Sequence, residues 1–410
     1  MKVLHHLITL SLLSSSTFAQ QKQSLEEYIS QNKRYFYELE EQRIDASSDL
    51  LRDTWISPIT LNYSYGISEA YDTKTTTTKG SISIDQPIFQ SGGILFGIRF
   101  AEASRLYSQY AAEVAKKKLI KDALSLLMQI KQSEIRIEKQ HLLIDNAAIN
   151  LELKTEQYMS GQIDSSFLDD AIIQKNEVQQ VLYDLEASKE RLVSQLRVIS
   201  DVSYAEVTLP SLELIEREEF LLHNISYKLT QMESEKSYYT KNVTFAKYLP
   251  QFSLYAGYNF DKTENLNFAG QTLGETSSTR ETDYATYGLK ISMPLDVNSY
   301  DEYEASRLTY LQATTLQKDK KREIEAAYEQ VMQNINNFDK KITLSQENEK
   351  LYKKLLEDTQ KLFDVGYKTE YDVALLENSY KMQHLDIELF EFDRQLELLT
   401  LYEMYSNESE

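Results

Sequence analysis

Cysteine is absent from this 410-residue chain, and proline and glycine are scarce, with five and 11 residues. The lack of cysteine excludes disulfide bonds and thiolate metal sites, so the fold must be held by burial or by assembly. No run of about 18 apolar residues follows the N-terminal segment, which excludes a membrane-spanning helix there. The net charge of −20 argues against nucleic acid as a partner, because nucleic acid is itself a polyanion.

Catalytic motifs are missing as well. Of the five histidines, two lie in the N-terminal segment, and His141, His223 and His384 lie alone on predicted helices without a clustered carboxylate. No glycine-rich phosphate loop follows a strand, and no H-E-x-x-H motif is present. We therefore predict a protein that is not an enzyme and that uses no cofactor and no metal.

The N-terminal segment has the composition of a secretory signal peptide. Lys2 precedes an apolar run at 7–13, and a serine-rich stretch ends at the small residue Ala19. We predict a signal peptide over residues 1–19 and an exported mature chain that begins near Gln20.

Two pairs of strands are predicted from alternating apolar and polar residues. Leu61 and Tyr63, for example, alternate with Asn62 and Ser64, which is the two-residue period of a strand. The four predicted strands cover about 56–67, 80–90, 250–260 and 284–295. Each is about as long as a tilted strand that crosses a bilayer, although a half-buried sheet in a soluble protein has the same pattern.

In a membrane sheet, the polar face would line a water-filled lumen. Asp85 and Lys290 lie on that face and are predicted to line the lumen, unless the sheet is soluble and they are ordinary surface charges. The polar stretches 73–79 and 261–282 are predicted to be outward loops.

Prolines mark the junctions between strands and helices. Proline lacks a backbone N–H and breaks helices, so it suits strand starts and corners. Four of the five prolines are predicted at such corners: Pro58, Pro87, Pro250 and Pro294.

The rest of the chain is predicted to be helical, with two very long helices at about 93–159 and 300–364. In the first, apolar residues recur every seven positions, which indicates a coiled-coil-like seam. These residues are Ile130, Ile137, Ile144, Leu151 and Tyr158. A glycine ends each long helix, Gly161 in one and Gly366 in the other, and Asp164 or Ser165 can cap the helix that follows the first turn.

The spacing of these residues predicts a duplication. Pro87 precedes Gly161 by 74 residues and Pro294 precedes Gly366 by 72. Each repeat is a helix, two strands, a long helix, a glycine turn and a short helix. The predicted divisions are repeat 1 over 20–205, repeat 2 over 206–405, and an acidic tail over 406–410.

Four strands are too few to close a membrane barrel, since the smallest have about eight and an open edge is not tolerated in lipid. Three copies would supply twelve strands. We therefore predict a mainly α protein with a small β part, in which four transmembrane strands and long coiled-coil-like helices form two tandem repeats.

Several segments resemble the TolC family of outer-membrane efflux proteins. They are the strand ends QPIF and MPLD and the turns YMSGQIDSSFLD and FDVGYKTEYDVAL, in this order and with this spacing. The resemblance covers essentially the whole mature chain. It implies a homotrimer in which a twelve-stranded β-barrel in the outer membrane of a Gram-negative-type bacterium joins a twelve-helix α-barrel in the periplasm.

The resemblance also implies a function and partners. The function is an exit duct for small molecules or polypeptides, in a tripartite efflux or a type I secretion system. The partners are outer-membrane lipid, a periplasmic membrane-fusion (adaptor) protein and an inner-membrane transporter of the resistance-nodulation-division, ABC or major facilitator type.

By the same resemblance, the two glycine turns form the periplasmic tip that closes the duct. Lys368 matches a basic residue that tethers the closed state, and Asp372 matches an acidic residue of the constriction. Phe363 stands where TolC has a tyrosine, and Leu375 replaces a second acidic residue, so the closing network is expected to differ. Asp372 also suits a helix N-terminus on electrostatic grounds alone.

The alternative from another class is a trimeric coiled-coil structural or adhesin-like outer-membrane protein without a conducting duct. Its strands should lie together at the C-terminus. Here they lie in the middle of the chain, in two pairs, which favours the duct.

Overall fold

The structure is a computed structural model that describes residues 25–70, 73–267 and 276–406. The predicted signal peptide and residues 407–410 of the predicted acidic tail lie outside the described residues. The helices begin with a short 3₁₀ helix at Leu25–Tyr28 and are then α1 Gln31–Arg52, α2 Gly93–Met159, α3 Ser165–Ile199, α4 Arg217–Leu222, α5 Ile225–Lys247, α6 Ser299–Asp364 and α7 Glu370–Met404. The strands are β1 Thr60–Ala70, β2 Thr73–Phe89, β3 Gln251–Asn267 and β4 Thr276–Ser292.

The two long helices dominate the architecture. Helix α2 has 67 residues and α6 has 66, so each is about 100 Å long at ~1.5 Å per residue. Residues 217–247 form two helices rather than one, since α4 ends at Leu222 and Asn224 caps α5 by accepting a hydrogen bond from the Tyr227 N–H.

The helices form two tiers that share α2 and α6. In the tier next to the sheet, neighbours in contact give the order α1, α2, α5, α6. In the tier that ends at the glycine turns, the order is α3, α2, α7, α6. Each tier is thus an open layer of four helices.

The main core lies where the two tiers meet. The middle of α2 contributes Leu124 and Leu127, which are fully buried against Leu398 and Leu401 at the end of α7. The connector between α3 and α4 covers this core and is held by side chains. The Tyr28 hydroxyl donates to the Thr208 carbonyl at 3.0 Å.

The four strands form one antiparallel sheet in the order β1-β2-β3-β4, so β1 and β4 are its edges. The register aligns apolar side chains in rows across the four strands on one face of the sheet, and polar side chains in rows on the other face. Leu61, Ile82, Tyr258 and Ala285 form one row on the apolar face, and Thr60, Ser83, Gly257 and Thr286 form one on the polar face. Nothing in the chain covers the apolar face among the described residues, and Leu61 is 78% exposed.

The prediction of loops at 73–79 and 261–282 was wrong, because the strands continue through most of these residues. Thr78 pairs with Lys262, and Lys262 pairs with Glu281. Both faces are polar here, so the alternation that identifies a strand in the sequence disappears while the backbone hydrogen bonds continue. At their other ends the strands are shorter than predicted, since β1 begins at Thr60 and β4 ends at Ser292.

Candidate functional sites: the glycine turns and the polar sheet face

The two glycine turns have the same backbone conformation. Gly161 has a φ of +74° and Gly366 a φ of +82°, in the left-handed region that favours glycine. After each glycine, an N–H donates to the carbonyl five residues earlier, from Gln162 to Gln157 and from Tyr367 to Leu362, both at 2.8 Å. This is the Schellman arrangement, which satisfies the last carbonyls of α2 and α6.

The second turn places Lys368 and Asp372 in contact. The Lys368 Nζ lies 3.2 Å from Asp372 Oδ1. The other carboxylate oxygen, Oδ2, accepts hydrogen bonds from the N–H and the hydroxyl of Thr369, both at 2.9 Å. Since Thr369 Oγ1 accepts the Asp372 N–H in return, the two residues form a capping box at the start of α7.

These contacts fix the charge of Asp372. The Thr369 backbone N–H, followed by its hydroxyl and the Lys368 ammonium group, lowers the pKa of Asp372 below the ordinary value. The carboxylate therefore stays ionised through the neutral range. Its capping role and a role at a constriction are compatible, because the side chain keeps 37% of its surface exposed.

The first turn is also capped by an aspartate. Asp164 accepts hydrogen bonds from the Ser166 N–H, at 2.8 Å, and from the Ser166 hydroxyl. Both bonds lower the pKa of Asp164, and the bond from the hydroxyl has the larger effect. Phe167 lies beneath the Lys154 ammonium group, which is 5.9 Å from the ring centroid.

One contact between the turns was missed by the sequence analysis. The Tyr371 hydroxyl at the start of α7 donates to Glu156 Oε1 near the end of α2, at 3.4 Å. Burial, followed by the charges of Glu152 and Glu156, raises the pKa of Tyr371, so its hydroxyl keeps its proton at neutral pH. The two residues are 215 positions apart, and no local pattern in the sequence marks the pair.

Phe363 lies three residues before Gly366 at the end of α6, and its side chain is 38% exposed. Its backbone carbonyl accepts the Gly366 N–H at 2.9 Å. Of the predicted tip residues of the second turn, Lys368 and Asp372 contact each other, whereas the Phe363 ring is partly exposed. Thr369, which the sequence does not single out, joins the contacting pair.

The polar face of the sheet brings together the two predicted lumen charges. Lys290 Nζ reaches across β3 to Asp85 Oδ2, at 3.0 Å. Next to this ion pair, the Tyr255 ring lies against Gly288, where a Cβ atom would be only 2.6 Å from the Tyr255 hydroxyl oxygen. Only glycine at 288 leaves room for the ring in this position.

Three of the four prolines predicted at corners lie between a strand and a helix, and one lies within a strand. Pro58 and Pro250 precede β1 and β3, and Pro294 follows β4. Pro87 lies inside β2, at a register shift between Pro87 and Phe89. A bulge tolerates the missing N–H, which explains a proline within a central strand.

The expectation that all three remaining histidines lack a carboxylate partner was wrong for His384. Its ring nitrogens lie 3.1 Å from Glu349 and 3.5 Å from Glu388. Across the described residues, no group of His, Asp and Glu side chains is arranged to hold a metal ion. The helices described here also include none that is long and apolar enough to cross a membrane.

The whole fold is similar to that of several solved structures. The CmeC outer membrane channel of Campylobacter jejuni superposes with a TM-score of 0.71 at 12% identity, over 94% of this chain and 86% of that one. The outer membrane protein VceC of Vibrio cholerae gives 0.69 at 14% identity, over 93% and 95%. The MtrE outer membrane channel of Neisseria gonorrhoeae, in its open state, gives 0.61 at 10% identity, over 92% and 87%.

At the level of sequence, no protein-family profile matches the chain, and no curated protein matches it significantly. The chain nevertheless has the same fold as these outer-membrane channels, with long helices and a four-stranded antiparallel sheet. The resemblance that the strand ends and glycine turns indicate is thus confirmed for the fold.

Proposed function

We propose that this protein is the outer-membrane exit duct of an efflux system, in which three copies form one continuous tube. The observation that carries the proposal is that the sheet and both helical tiers are open layers whose unpaired edges lie on the same two sides. One side consists of β1, α1 and α3, and the other of β4 and α6. A copy placed beside another in the same orientation pairs every edge at once.

Exposed apolar side chains on these edges support the closure. On α6, Leu344, Leu351, Leu355 and Leu362 follow a spacing of seven, four and seven residues, and each is at least 42% exposed. On the opposite side, α3 exposes Ile172, Ile173, Val181 and Tyr183. A heptad-spaced apolar stripe without a partner in its own chain is typical of a helix that packs against another chain.

Lipid is the partner proposed for the exposed apolar face of the sheet. Four strands with free edges cannot cross a bilayer alone, because unpaired backbone groups are too costly in hydrocarbon. Twelve strands from three copies form a closed barrel of a size that is known for such proteins. The polar face then lines the lumen, and the helical tiers extend into the periplasm.

The glycine turns lie at the far end of the tube and form the proposed docking and closing tip. There, a periplasmic adaptor protein and an inner-membrane transporter would complete the pathway. This part of the proposal is supported by the similarity of the fold to the folds of CmeC and MtrE, which are both outer membrane channels. The protein moves cargo and performs no chemistry on it.

Two measurements on the purified mature protein test this proposal. Mass determination in detergent is expected to give three copies per particle, and planar bilayers are expected to show discrete conductance steps. A folded monomer would exclude the shared barrel. A verified trimer that never conducts, even with the Tyr371→Phe substitution at its tip, would favour a structural stalk without a duct.

A further inference from the structure

The polar face of the sheet carries very few charges in the part that lies behind the apolar face. Across Thr60–Gly66, Ser81–Pro87, Gln251–Asn259 and Tyr284–Ser292, every second residue points to this face. Among those residues only Asp85 and Lys290 are charged. The others are mainly serine, threonine, asparagine, glycine and tyrosine.

These two charges cancel each other locally. Lys290 is aligned with Ser253, and Asp85 with Tyr255, so the lysine must extend over β3 to reach the carboxylate at 3.0 Å. Both side chains remain about half exposed, at 55% and 48%. An ion pair this exposed contributes little to stability. Its main effect is therefore on the electrostatic potential of the surface around it.

The neighbouring aromatic ring has a defined place in the same arrangement. Tyr255 is aligned with Asp85 on one side and with Gly288 on the other, and the missing side chain at Gly288 lets the ring lie against β4 rather than project outward. At 40% exposure the ring still presents a surface to solvent. Asp85, Lys290, Tyr255 and Gly288 therefore form one compact group, which we call the neutral cluster.

We propose that the neutral cluster keeps the barrel section free of charge selectivity, by forming a ring of three mutually compensated ion pairs around the lumen. This inference rests on the proposed function, because only a tube of several copies makes the polar face a lumen. The ring lets cargo of either sign pass and leaves charge selection to the acidic residues of the tip. Splitting the pair converts the ring into a filter, cationic without Asp85 and anionic without Lys290.

The absence of cysteine from the chain permits a direct measurement of the local potential. A single reporter, Ser83→Cys, lies on the polar face two residues from Asp85, about 7 Å along the strand. The trimeric full-length protein in liposomes would be treated with a cationic and an anionic methanethiosulfonate of similar size. The ratio of the two reaction rates reports the potential at the reporter and does not depend on how narrow the tip is.

The reporter is placed in four proteins. Ser83→Cys is made alone, with Asp85→Asn, with Lys290→Gln, and with both of these substitutions together. At low salt, one uncompensated charge about 7 Å away changes each rate by about two- to threefold, and so changes the ratio of the rates by about fivefold. The cationic reagent is expected to be disfavoured in Asp85→Asn and favoured in Lys290→Gln. The double variant is expected to restore the original ratio, which a merely structural effect of either substitution would not do.

Leu289→Cys on the apolar face provides the matched control, since it is expected to lie against lipid and to react with neither reagent. If Ser83→Cys reacts readily and the ratio is equal in all four proteins, the neutral cluster does not set the potential and the inference is overturned. If Ser83→Cys is unreactive in a verified trimer, the polar face does not line a lumen, and the proposed function fails with it.

Discussion

Tyr371 connects the two halves of the chain at the tip, because its hydroxyl donates a hydrogen bond to Glu156 across 215 positions of sequence. This bond ties the start of α7 to the end of α2, where the apolar core of the protein no longer reaches. This hydrogen bond can be lost without unfolding either helix.

Replacing Tyr371 with phenylalanine tests the tie between the turns. The substitution removes only the hydroxyl, so we expect a trimer of unchanged stability with a larger or more frequent open conductance in planar bilayers. Tyr367→Phe is the matched control, because Tyr367 is 82% exposed on the same turn and its hydroxyl makes no hydrogen bond within the described part of the chain. Equal conductance in both variants would show that the Tyr371–Glu156 contact does not restrain the tip.

Asp372 belongs to the capping box of α7 and also carries a negative charge. Two substitutions separate the effect of the cap from the effect of the charge. Asp372→Asn is expected to leave trimer assembly intact and to reduce cation selectivity, measured as the reversal potential in a salt gradient. Thr369→Ala removes the side chain that caps α7, at a cost of about 1 kcal/mol, and keeps the carboxylate. An unaltered reversal potential in Asp372→Asn would place this residue away from the constriction.

The lowered pKa of Asp372 predicts how the tip responds to acid. A carboxylate whose pKa is lower in the folded state contributes stability above its unfolded value and loses it as the pH falls through the folded value. We therefore expect the selectivity that depends on Asp372 to persist at the ordinary aspartate pKa of about 3.9 and to disappear only below it. Reversal potentials measured across an acid titration check this, and a loss already complete near pH 5 would contradict it.

The positive φ angles at the two turns predict the cost of adding a side chain there. Gly161→Ala and Gly366→Ala meet no atom within 4 Å, so the expected loss of about 1–2 kcal/mol comes from the backbone conformation alone. Gly97→Ala is the control, because Gly97 also has open space around it but lies within α2, where alanine should stabilise by about 0.5–1 kcal/mol. Thermal unfolding of all three variants measures the difference, and equal midpoints would be inconsistent with strain at the turns.

The leucine stripe on α6 predicts where assembly can be disrupted. Leu351→Glu buries a charge if α6 packs against a neighbouring copy, and we expect the trimer to dissociate in detergent. Lys354→Glu, three residues away and outside the stripe, is expected to leave the trimer intact. Mass determination by light scattering distinguishes the two, and a stable Leu351→Glu trimer would place the interface elsewhere.

The sequence predicts the elements whose signals are local. The seven-residue spacing from Ile130 to Tyr158 and the glycine at 161 predict the last part of α2, which ends at Met159. The extension of β2 back to Thr73 is not predictable in this way, because strands with two polar faces are paired through their backbone alone. The Tyr371–Glu156 and Lys290–Asp85 contacts also lack a local signal, since each joins residues more than 200 positions apart.

The paired strands continue well past the end of the apolar face. In β3 the seven residues from Asp261 to Asn267 extend the sheet by about 23 Å beyond Phe260. In the proposed barrel, the lipid boundary therefore lies near Phe260, where the apolar face ends, while the backbone pairing of the wall continues beyond it. A local change in bilayer thickness therefore brings no unpaired backbone N–H or C=O group of these strands into contact with lipid.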